Sequence, residues 1–277
     1  MSPDDYCQKK AAASGSSFYY SFMFLPEERR RAITALYAFC REVDDVVDES
    51  SDPGVARTKL AWWRGEVGAI YRGTPQHPVA RALAALRPRF NLPESRLQEI
   101  IAGMEMDLDR NRYADFAALQ LYCYRVAGVV GLLSAEIFGY QDRRTLEYAA
   151  DLGMAFQLTN IIRDVGEDAR RDRIYLPLDE LARHGVSVED IVHARETPNF
   201  RSLMEFQIER ALSYYRSAFD KLPAADRKAQ RAGVIMAAIY QTLLEEIRAD
   251  GCRVLRQRTS LTPVRKLWIA SKTWFRN

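Results

Sequence analysis

Residues 152–177 read LGMAFQLTNIIRDVGEDARRDRIYLP and carry the clearest helical pattern in the sequence. On an α-helix, five of these residues follow one another at steps of four, three, four and four and therefore share one face: Gly153, Gln157, Asn160, Asp164 and Asp168. The residues between them are mostly apolar, so both sides of this helix favour burial. A polar stripe on a buried helix must face a partner or a filled cavity, because an unsatisfied buried polar group is costly.

The stripe ends in two carboxylates one helical turn apart, Asp164 and Asp168. Oxygen ligands at this spacing suit a hydrated Mg²⁺ ion that carries phosphate oxygens. The alternative is a solvated pair of acids beside the basic residues Arg163, Arg170 and Arg171. The pattern alone does not decide between the two, because short acidic motifs recur in proteins that bind no metal.

A second acidic stripe lies in residues 35–49, ALYAFCREVDDVVDE, where Asp44 and Asp48 repeat the same spacing. Arg41 and Tyr37 extend this stripe upstream. If the two helices face each other across a cavity, their four carboxylates repel strongly, and divalent cations relieve that repulsion. The pair of helices therefore predicts metal, and metal held in this way predicts a phosphate-bearing ligand.

Length and composition favour one large domain that covers residues 1–277. The chain is 48% hydrophobic, which is ample for a substantial core, and its formal net charge is only +3. So small a charge does not indicate an extended nucleic-acid footprint, and we expect no nucleic-acid partner. The sequence contains no G-x-S-x-G, P-loop or G-x-G-x-x-G motif, which leaves hydrolase, nucleotidase and dinucleotide-binding functions without support.

The cysteine and histidine residues do not form a metal or disulfide pattern. The four cysteines lie far apart in the sequence, which argues against a zinc site and a disulfide scaffold: Cys7, Cys40, Cys123 and Cys252. The three histidines have no metal-like spacing: His77, His184 and His193. No window reaches the roughly 18 uninterrupted apolar residues of a membrane-spanning helix. These features favour a cytoplasmic protein.

Apolar periodicity predicts helices along almost the whole chain and no strands. The predicted helices cover residues 3–13, 26–49, 55–71, 78–86, 93–110, 116–138, 144–165, 178–184, 188–194, 200–222 and 229–256. Short connections between them predict an all-α, bundle-like domain around a central cavity. Tyr122 shares the apolar face of its predicted helix, where it can be a core residue with a satisfied hydroxyl group or a functional one.

Three of these stretches resemble the squalene and phytoene synthases, which join two prenyl diphosphates head to head. Residues 152–177 are similar to the longer motif of that family, and residues 122–131 are similar to its shorter motif. The acidic stretch 35–49 is similar to its first aspartate motif, and the residues around position 17 lie where the family has a flap over the diphosphate. The resemblance spans about residues 14–255 and implies the isoprenoid-synthase helical bundle.

The resemblance also implies roles for individual residues. The implied Mg²⁺ ligands are Asp44, Asp48, Asn160, Asp164 and Asp168. The implied substrate-binding residues are Ser17, Phe18, Tyr37, Arg41, Gln157, Asn160, Arg173, Tyr175 and Tyr240. Tyr122 matches a tyrosine near the departing diphosphate. It can order that diphosphate or relay the proton that the substrate loses.

A finer likeness points to the bacterial hopanoid-pathway enzymes that make presqualene diphosphate, and it is carried by residues 61–66, 103–108 and 131–140. It implies condensation of two farnesyl diphosphate molecules without NADPH, followed by handover to downstream squalene-pathway enzymes. The alternatives are a phytoene or dehydrosqualene synthase and a complete NADPH-dependent squalene synthase. A terpene cyclase would not explain residues 122–131, and a silent helical module would more plausibly have lost one of the four aspartates.

The C-terminal segment, residues 256–277, is basic and aromatic, with no acidic residue. Such a segment can lie on an anionic bilayer, which would give a cytoplasmic enzyme a peripheral membrane contact. It can equally form a last helix that packs on the core and exposes a basic face to solvent. Both interpretations stay open at this point.

Overall fold

The computed structural model describes residues 1–13 and 21–276, and within these ranges it is all-α. The helices of the described residues, in chain order, are α1 (Pro3–Ala13), α2 (Glu27–Glu49), α3 (Pro53–Arg72), α4 (Pro78–Leu86), α5 (Glu94–Asp109), α6 (Phe116–Cys123), α7 (Val129–Phe138), α8 (Arg144–Arg170), α9 (Leu178–Arg183), α10 (Val188–Val192), α11 (Pro198–Lys221), α12 (Arg231–Ala249) and α13 (Pro263–Arg276). Outside them, one isolated backbone bridge joins Arg112 to Ile174. The predicted fold class is confirmed.

The helix ends follow the signals in the sequence. Asp52 caps α3, since its carboxylate accepts hydrogen bonds from the N–H groups of Gly54 and Val55. The same helix stops at Gly73, whose φ of 85° is left-handed. Asp115 caps α6 by accepting a hydrogen bond from the N–H of Ala118 at 2.9 Å. Local chemistry therefore fixes where these elements begin and end.

Two apolar cores flank the central cavity. One is built around α8, α11 and α12, and the other around α1 to α5, with residues of α7 completing it. The long helix α8 belongs to the first core and packs most extensively on α11, with further contacts to α7. This arrangement places one face of α8 against a core and leaves the opposite face to line the cavity.

The predicted helix 116–138 is interrupted in the structure. Residues Tyr124–Gly128 form a π-helical turn between α6 and α7, a feature that apolar periodicity does not reveal. The span Phe116–Phe138 is long and apolar enough to cross a membrane. In the fold, however, it packs against α5 and α8, so this span serves as a helix of the bundle.

Two predicted helix ends were wrong. The helix predicted to end at residue 165 continues to Arg170, so Asp168 lies on α8. The helix predicted for 229–256 ends at Ala249, because Gly251 and Cys252 adopt left-handed φ angles of 74° and 60°. The chain that follows runs back along α8, where the N–H of Gly166 donates to the carbonyl oxygen of Val254. The C-terminal segment is thereby brought to the cavity.

Candidate active site

A cavity of about 430 Å³ lies between α2, α7, α8 and α12. Helix α8 lines it from Tyr148 to Arg163, which are fifteen residue steps of about 1.5 Å each, or about 22 Å. One end is polar and carries Asp44 and Arg163, whereas the other is apolar and carries Ile33 and Phe138. The cavity is therefore an elongated pocket with one charged end, a shape that suits a long apolar molecule with a charged head group.

The carboxylates of α2 lie at the polar end and are held by arginines. Arg41 donates to Asp44 at 2.6 Å, while Arg171 and Arg173 donate to Asp48 at 2.9 Å and 2.7 Å. Burial, together with repulsion from Asp48, raises the pKa of Asp44 to about 6. The arginines therefore neutralise the negative charge of Asp44 and Asp48 only in part.

The two carboxylates of α8 differ in their surroundings. Burial opposes ionisation of Asp164, but hydrogen bonds from Arg163 at 2.7 Å and Arg258 at 2.8 Å outweigh it and lower its pKa. Asp168 makes no side-chain hydrogen bond or ion pair with the part of the chain that is described. Burial and repulsion from Asp164 raise its pKa to about 7. A carboxyl group in this state favours a nearby cation.

The donor set at this end fits a hydrated magnesium ion. The two acidic helices do face the same space, since Asp48 and Asp168 repel each other electrostatically. The side-chain oxygen Oδ1 of Asn160 is buried without a hydrogen-bond partner among the described residues, although Asn160 lines the cavity. In the same ranges no three acidic, histidine or cysteine side chains converge closely enough to enclose an ion. Mg²⁺ keeps several waters and does not need such a cage.

Asp107 on α5 is a site residue that the sequence analysis missed. The hydroxyl groups of Tyr122 and Tyr175 each donate to it at 2.9 Å, and the two rings stack with centroids 5.1 Å apart. Burial raises the pKa of Asp107 to about 6, although Arg173 and the two tyrosines act against the rise. The hydroxyl of Tyr122 is thus satisfied by a half-buried carboxyl group.

A signal for Asp107 does exist in the sequence. It lies three residues after Met104 and seven after Ile100, which is the apolar stripe of α5. A carboxyl group on a buried helical face needs a specific partner, and that was the clue.

A group of cations at the polar end was also missed. Arg163, Arg258 and Lys266 all line the cavity there, and the charge of Arg163 acts on the neighbouring Tyr240. Burial lowers the pKa of Lys266, as does repulsion from Arg163 and Arg258. Three cations that repel one another beside a cavity favour an anionic ligand. Arg258 and Lys266 come from the C-terminal segment, so part of it serves the cavity.

The remaining predicted site residues lie as follows. Tyr37 and Gln157 line the cavity, and the amide of Asn160 donates to Gln157 at 3.4 Å. Ser17 and Phe18, predicted for the flap, lie outside the described residues. The structure thus brings Tyr37, Arg41, Asp44, Asp48, Tyr122, Gln157, Asn160, Asp164, Asp168, Arg173, Tyr175 and Tyr240 to the cavity or to its polar end.

An all-α bundle around such a cavity is the isoprenoid-synthase fold, as comparison with known proteins shows. Residues 11–265 match the model of the squalene/phytoene synthase family, and the chain belongs to this family. Its members are prenyltransferases that act on prenyl diphosphates with a divalent metal.

Three known proteins show how similar the chain is to its family. It is 35% identical to the 15-cis-phytoene synthase of Synechocystis sp. over 98% of this chain and 84% of that protein. Among solved structures, a dehydrosqualene synthase in complex with a ligand matches with a TM-score of 0.86 and 27% identity, over 98% of this chain and 95% of the other. A squalene synthase from Alicyclobacillus acidocaldarius matches with a TM-score of 0.81 and 26% identity, over 90% and 94%.

Proposed function

We propose that this protein condenses two molecules of geranylgeranyl diphosphate head to head to form phytoene. The observation that carries the proposal is the 35% identity to a phytoene synthase over 98% of the chain. The finer likeness to hopanoid-pathway enzymes led us to expect presqualene diphosphate, but the relatives support the carotenoid alternative better. Condensation of two farnesyl diphosphates to presqualene diphosphate is the second candidate, supported by the likeness to a squalene synthase.

We assign the binding of Mg²⁺ to the oxygen donors at the polar end of the cavity, which are Asp44, Asp48, Asn160, Asp164 and Asp168. Bound Mg²⁺ supplies charge neutralisation that makes the diphosphate a leaving group. The unrelieved repulsion at Asp168 and the unpartnered oxygen of Asn160 support this assignment.

The cationic side chains at the polar end are the groups we expect to hold the diphosphate. Arg41 and Arg173 were implied by the family resemblance, and the structure adds Arg163, Arg258 and Lys266 as neighbours. Arginine suits this task, since its planar guanidinium donates two parallel hydrogen bonds to phosphate oxygens. We expect the apolar remainder of the cavity to enclose the prenyl tails and to exclude water.

The pairing of Tyr122 with Asp107 supports a proton-transfer role. Burial, with repulsion from Asp107, raises the pKa of Tyr122 well above its usual range, so the phenol stays protonated. Asp107, with a pKa of about 6, accepts the hydrogen bond from that hydroxyl. A proton lost by the substrate at the Tyr122 oxygen can pass to Asp107 as the phenol gives up its own.

We also propose a peripheral membrane contact through α13. One face of this helix packs on α12 through Ile269 and Ala270, which are buried. The other exposes Val264, Trp268 and Phe275, whose exposed fractions are 78%, 59% and 86%. Lys272 lies over the ring of Trp268, so a basic group accompanies the exposed apolar residues and suits anionic lipid. We propose a cytoplasmic protein that passes its hydrocarbon product to such a surface or to a downstream enzyme.

A product assay tests the function directly. Purified protein is incubated with Mg²⁺ and geranylgeranyl or farnesyl diphosphate, with and without NADPH, and the lipid is identified by mass spectrometry after phosphatase treatment. We expect phytoene from geranylgeranyl diphosphate without NADPH. Presqualene alcohol from farnesyl diphosphate, with no product from geranylgeranyl diphosphate, would replace the proposal by the second candidate. Dehydrosqualene without NADPH, or squalene only with it, would also contradict it.

A further inference from the structure

The apolar end of the cavity contains a phenol hydroxyl group with no partner. Tyr148 lies in the second turn of α8 and is 1% exposed, and its ring lines the cavity. Within the described ranges its hydroxyl has no hydrogen-bond partner. A buried O–H group without a partner costs about 1–3 kcal/mol, so phenylalanine would be the more stable residue here. A ligand in the cavity would supply the partner that the described residues do not.

Gly233 on α12 makes room for this hydroxyl group. A Cβ atom at position 233 would lie 2.7 Å from the Tyr148 oxygen and 3.3 Å from the Leu152 Cδ2 atom. The ring carbon Cζ of Tyr148 would be 3.8 Å away, which is ordinary contact. The hydroxyl oxygen, rather than the ring, is thus the part of Tyr148 that requires glycine at position 233.

The position of Tyr148 along α8 determines which part of a ligand can contact its hydroxyl group. Tyr148 and Asp164 lie sixteen residue steps apart along α8, or about 24 Å at 1.5 Å per residue. A prenyl tail whose diphosphate lies at the polar end therefore reaches Tyr148 only if the tail is long. The part that reaches it is the last isoprene unit. The neighbouring amide of Gln230 is already used, since it donates to the carbonyl oxygen of Gly139 at 2.9 Å.

We propose that Tyr148 and Gly233 form the seat for the last isoprene unit of a four-unit prenyl tail and select geranylgeranyl over farnesyl diphosphate. The phenol donates a weak hydrogen bond to the π electrons of the terminal double bond. A farnesyl tail is one isoprene unit shorter and does not reach the Tyr148 hydroxyl. This inference rests on the proposed head-to-head condensation. In that reaction, Tyr148 and Gly233 determine which tail length is preferred.

The test is a competition assay in which geranylgeranyl and farnesyl diphosphate are present together and both products are quantified. Tyr148→Phe removes the hydroxyl without changing the ring, and we expect the KM for geranylgeranyl diphosphate to rise about three- to fivefold with kcat unchanged. Gly233→Ala pushes the hydroxyl into the seat, and we expect the kcat/KM ratio of the long to the short substrate to fall by about tenfold or more.

A double variant separates this role from a general packing effect. Because the clash at position 233 is with the hydroxyl oxygen, Gly233→Ala combined with Tyr148→Phe should recover at least half of the lost preference. Tyr113→Phe is the matched control, since Tyr113 is also a buried tyrosine with an unpartnered hydroxyl but does not line the cavity. It should leave the ratio unchanged.

Two results would overturn the inference. One is a ratio within twofold of the wild type in both single variants, and the other is an equal loss for both substrates that the double variant does not restore. The wild-type reaction distinguishes this failure from that of the proposed function. If wild type makes phytoene while the variants keep its preference, only the tail-length seat is wrong. If wild type makes no product from geranylgeranyl diphosphate, the proposed function itself fails.

Discussion

Asp168 is the least compensated carboxyl group at the polar end of the cavity. Its pKa of about 7 in the folded protein exceeds that of the unfolded chain, because burial and Asp164 both disfavour the charge. Between these two pKa values the folded state binds more protons than the unfolded state, so stability falls as pH rises. The metal-free protein should therefore lose stability between about pH 4 and pH 7 through this group.

We expect Asp168→Asn to stabilise the metal-free protein while it nearly abolishes activity. The amide removes the buried charge, which should raise the free energy of unfolding at pH 8 by about 1–2 kcal/mol, or a few degrees in Tm. Thermal melts at pH 6 and pH 8, with and without Mg²⁺, measure this. The rise in Tm that Mg²⁺ gives the wild type should shrink in the variant.

Asp109→Asn is the control for this experiment. Asp109 ends α5 outside the cavity and forms an exposed ion pair with Arg57 at 2.6 Å. Such a pair contributes about 0–1 kcal/mol, so its loss should leave activity and the response to Mg²⁺ intact. A wild type whose Tm is independent of Mg²⁺, or an Asp168→Asn variant with normal turnover, would contradict the metal assignment.

The sequence could indicate some of these residues and not others. The i,i+4 spacing within a single helix places Asp44 with Asp48, and Asp164 with Asp168, on one face each, so local geometry sufficed to pick them out. Arg258 hydrogen-bonds to Asp164 although the two residues are 94 positions apart in the sequence. The periodicity of a single helix cannot predict such a contact. It depends on the left-handed turn after α12, which the sequence analysis took for helix.

At the scale of elements, the packing of α8 against α7 and the π-helical turn that precedes it depends on two glycines. A Cβ atom on Gly131 would lie 2.2 Å from the carbonyl oxygen of Ala149, and one on Gly153 would lie 2.4 Å from that of Ala127. Contacts this short with backbone atoms cannot be relieved by a side-chain rotation. The two helices can therefore approach this closely only with glycine at both positions.

We expect Gly153→Ala to force the two helices apart and to lower the free energy of unfolding by about 1–3 kcal/mol. Because both helices line the cavity, kcat/KM should fall as well. Chemical denaturation and steady-state kinetics measure the two effects. Unchanged stability would show that position 153 has room for a Cβ atom, which would contradict the close contact between the two helices.

Gly65→Ala provides the matched control at an exposed position inside α3. A Cβ atom there would meet nothing within 4 Å. Alanine should raise the free energy of unfolding by about 0.5–1 kcal/mol, since it is the better helix former. The opposite signs of the two Gly→Ala changes would separate close packing from helix propensity.

Elements were easier to predict than their interruptions. Apolar periodicity and capping residues gave α2 and α4 within a residue or two, because these signals are local. The π-helical turn at Tyr124–Gly128 and the break at Gly251 depend on the fit to neighbouring helices. The long helix α8 continues past its predicted end, and there the N–H of Gly166 donates to the carbonyl oxygen of Val254 in the returning chain.

At the scale of the whole molecule, the predicted all-α bundle is confirmed, whereas neither interpretation of the C-terminal segment describes all of α13. Trp274 stacks on Phe24 with centroids 4.9 Å apart, while Lys272 lies over the ring of Trp268 on the exposed side. The helix thus has a packed face and an apolar exposed face. Composition alone could not divide its residues between the two.

We expect the double variant Trp268→Ser/Phe275→Ser to bind anionic vesicles of phosphatidylcholine and phosphatidylglycerol at least about tenfold more weakly than wild type. Each aromatic side chain buried in lipid contributes about 1.5 kcal/mol or more, and lipid charge adds to this. Vesicle sedimentation measures the binding. Neutral vesicles should bind the wild type less.

Trp62→Ser is the matched control for vesicle binding. Trp62 on α3 is 49% exposed, close to the value for Trp268, but it lies outside α13. This variant should bind as the wild type does. Equal binding by the double variant and wild type would remove the membrane role from α13.

The return of the chain along α8 bears on the order in which the ribosome delivers the parts of the cavity. Arg258 and Lys266 emerge last among the residues that line it, long after the carboxylates of α2 and α8. Nascent chains fold from the N-terminus as they are made, at about 5–20 residues per second, so the acidic end exists for some seconds without these two cations. A chain that stops before Arg258 would keep the acidic residues of the cavity and lack both of these cations.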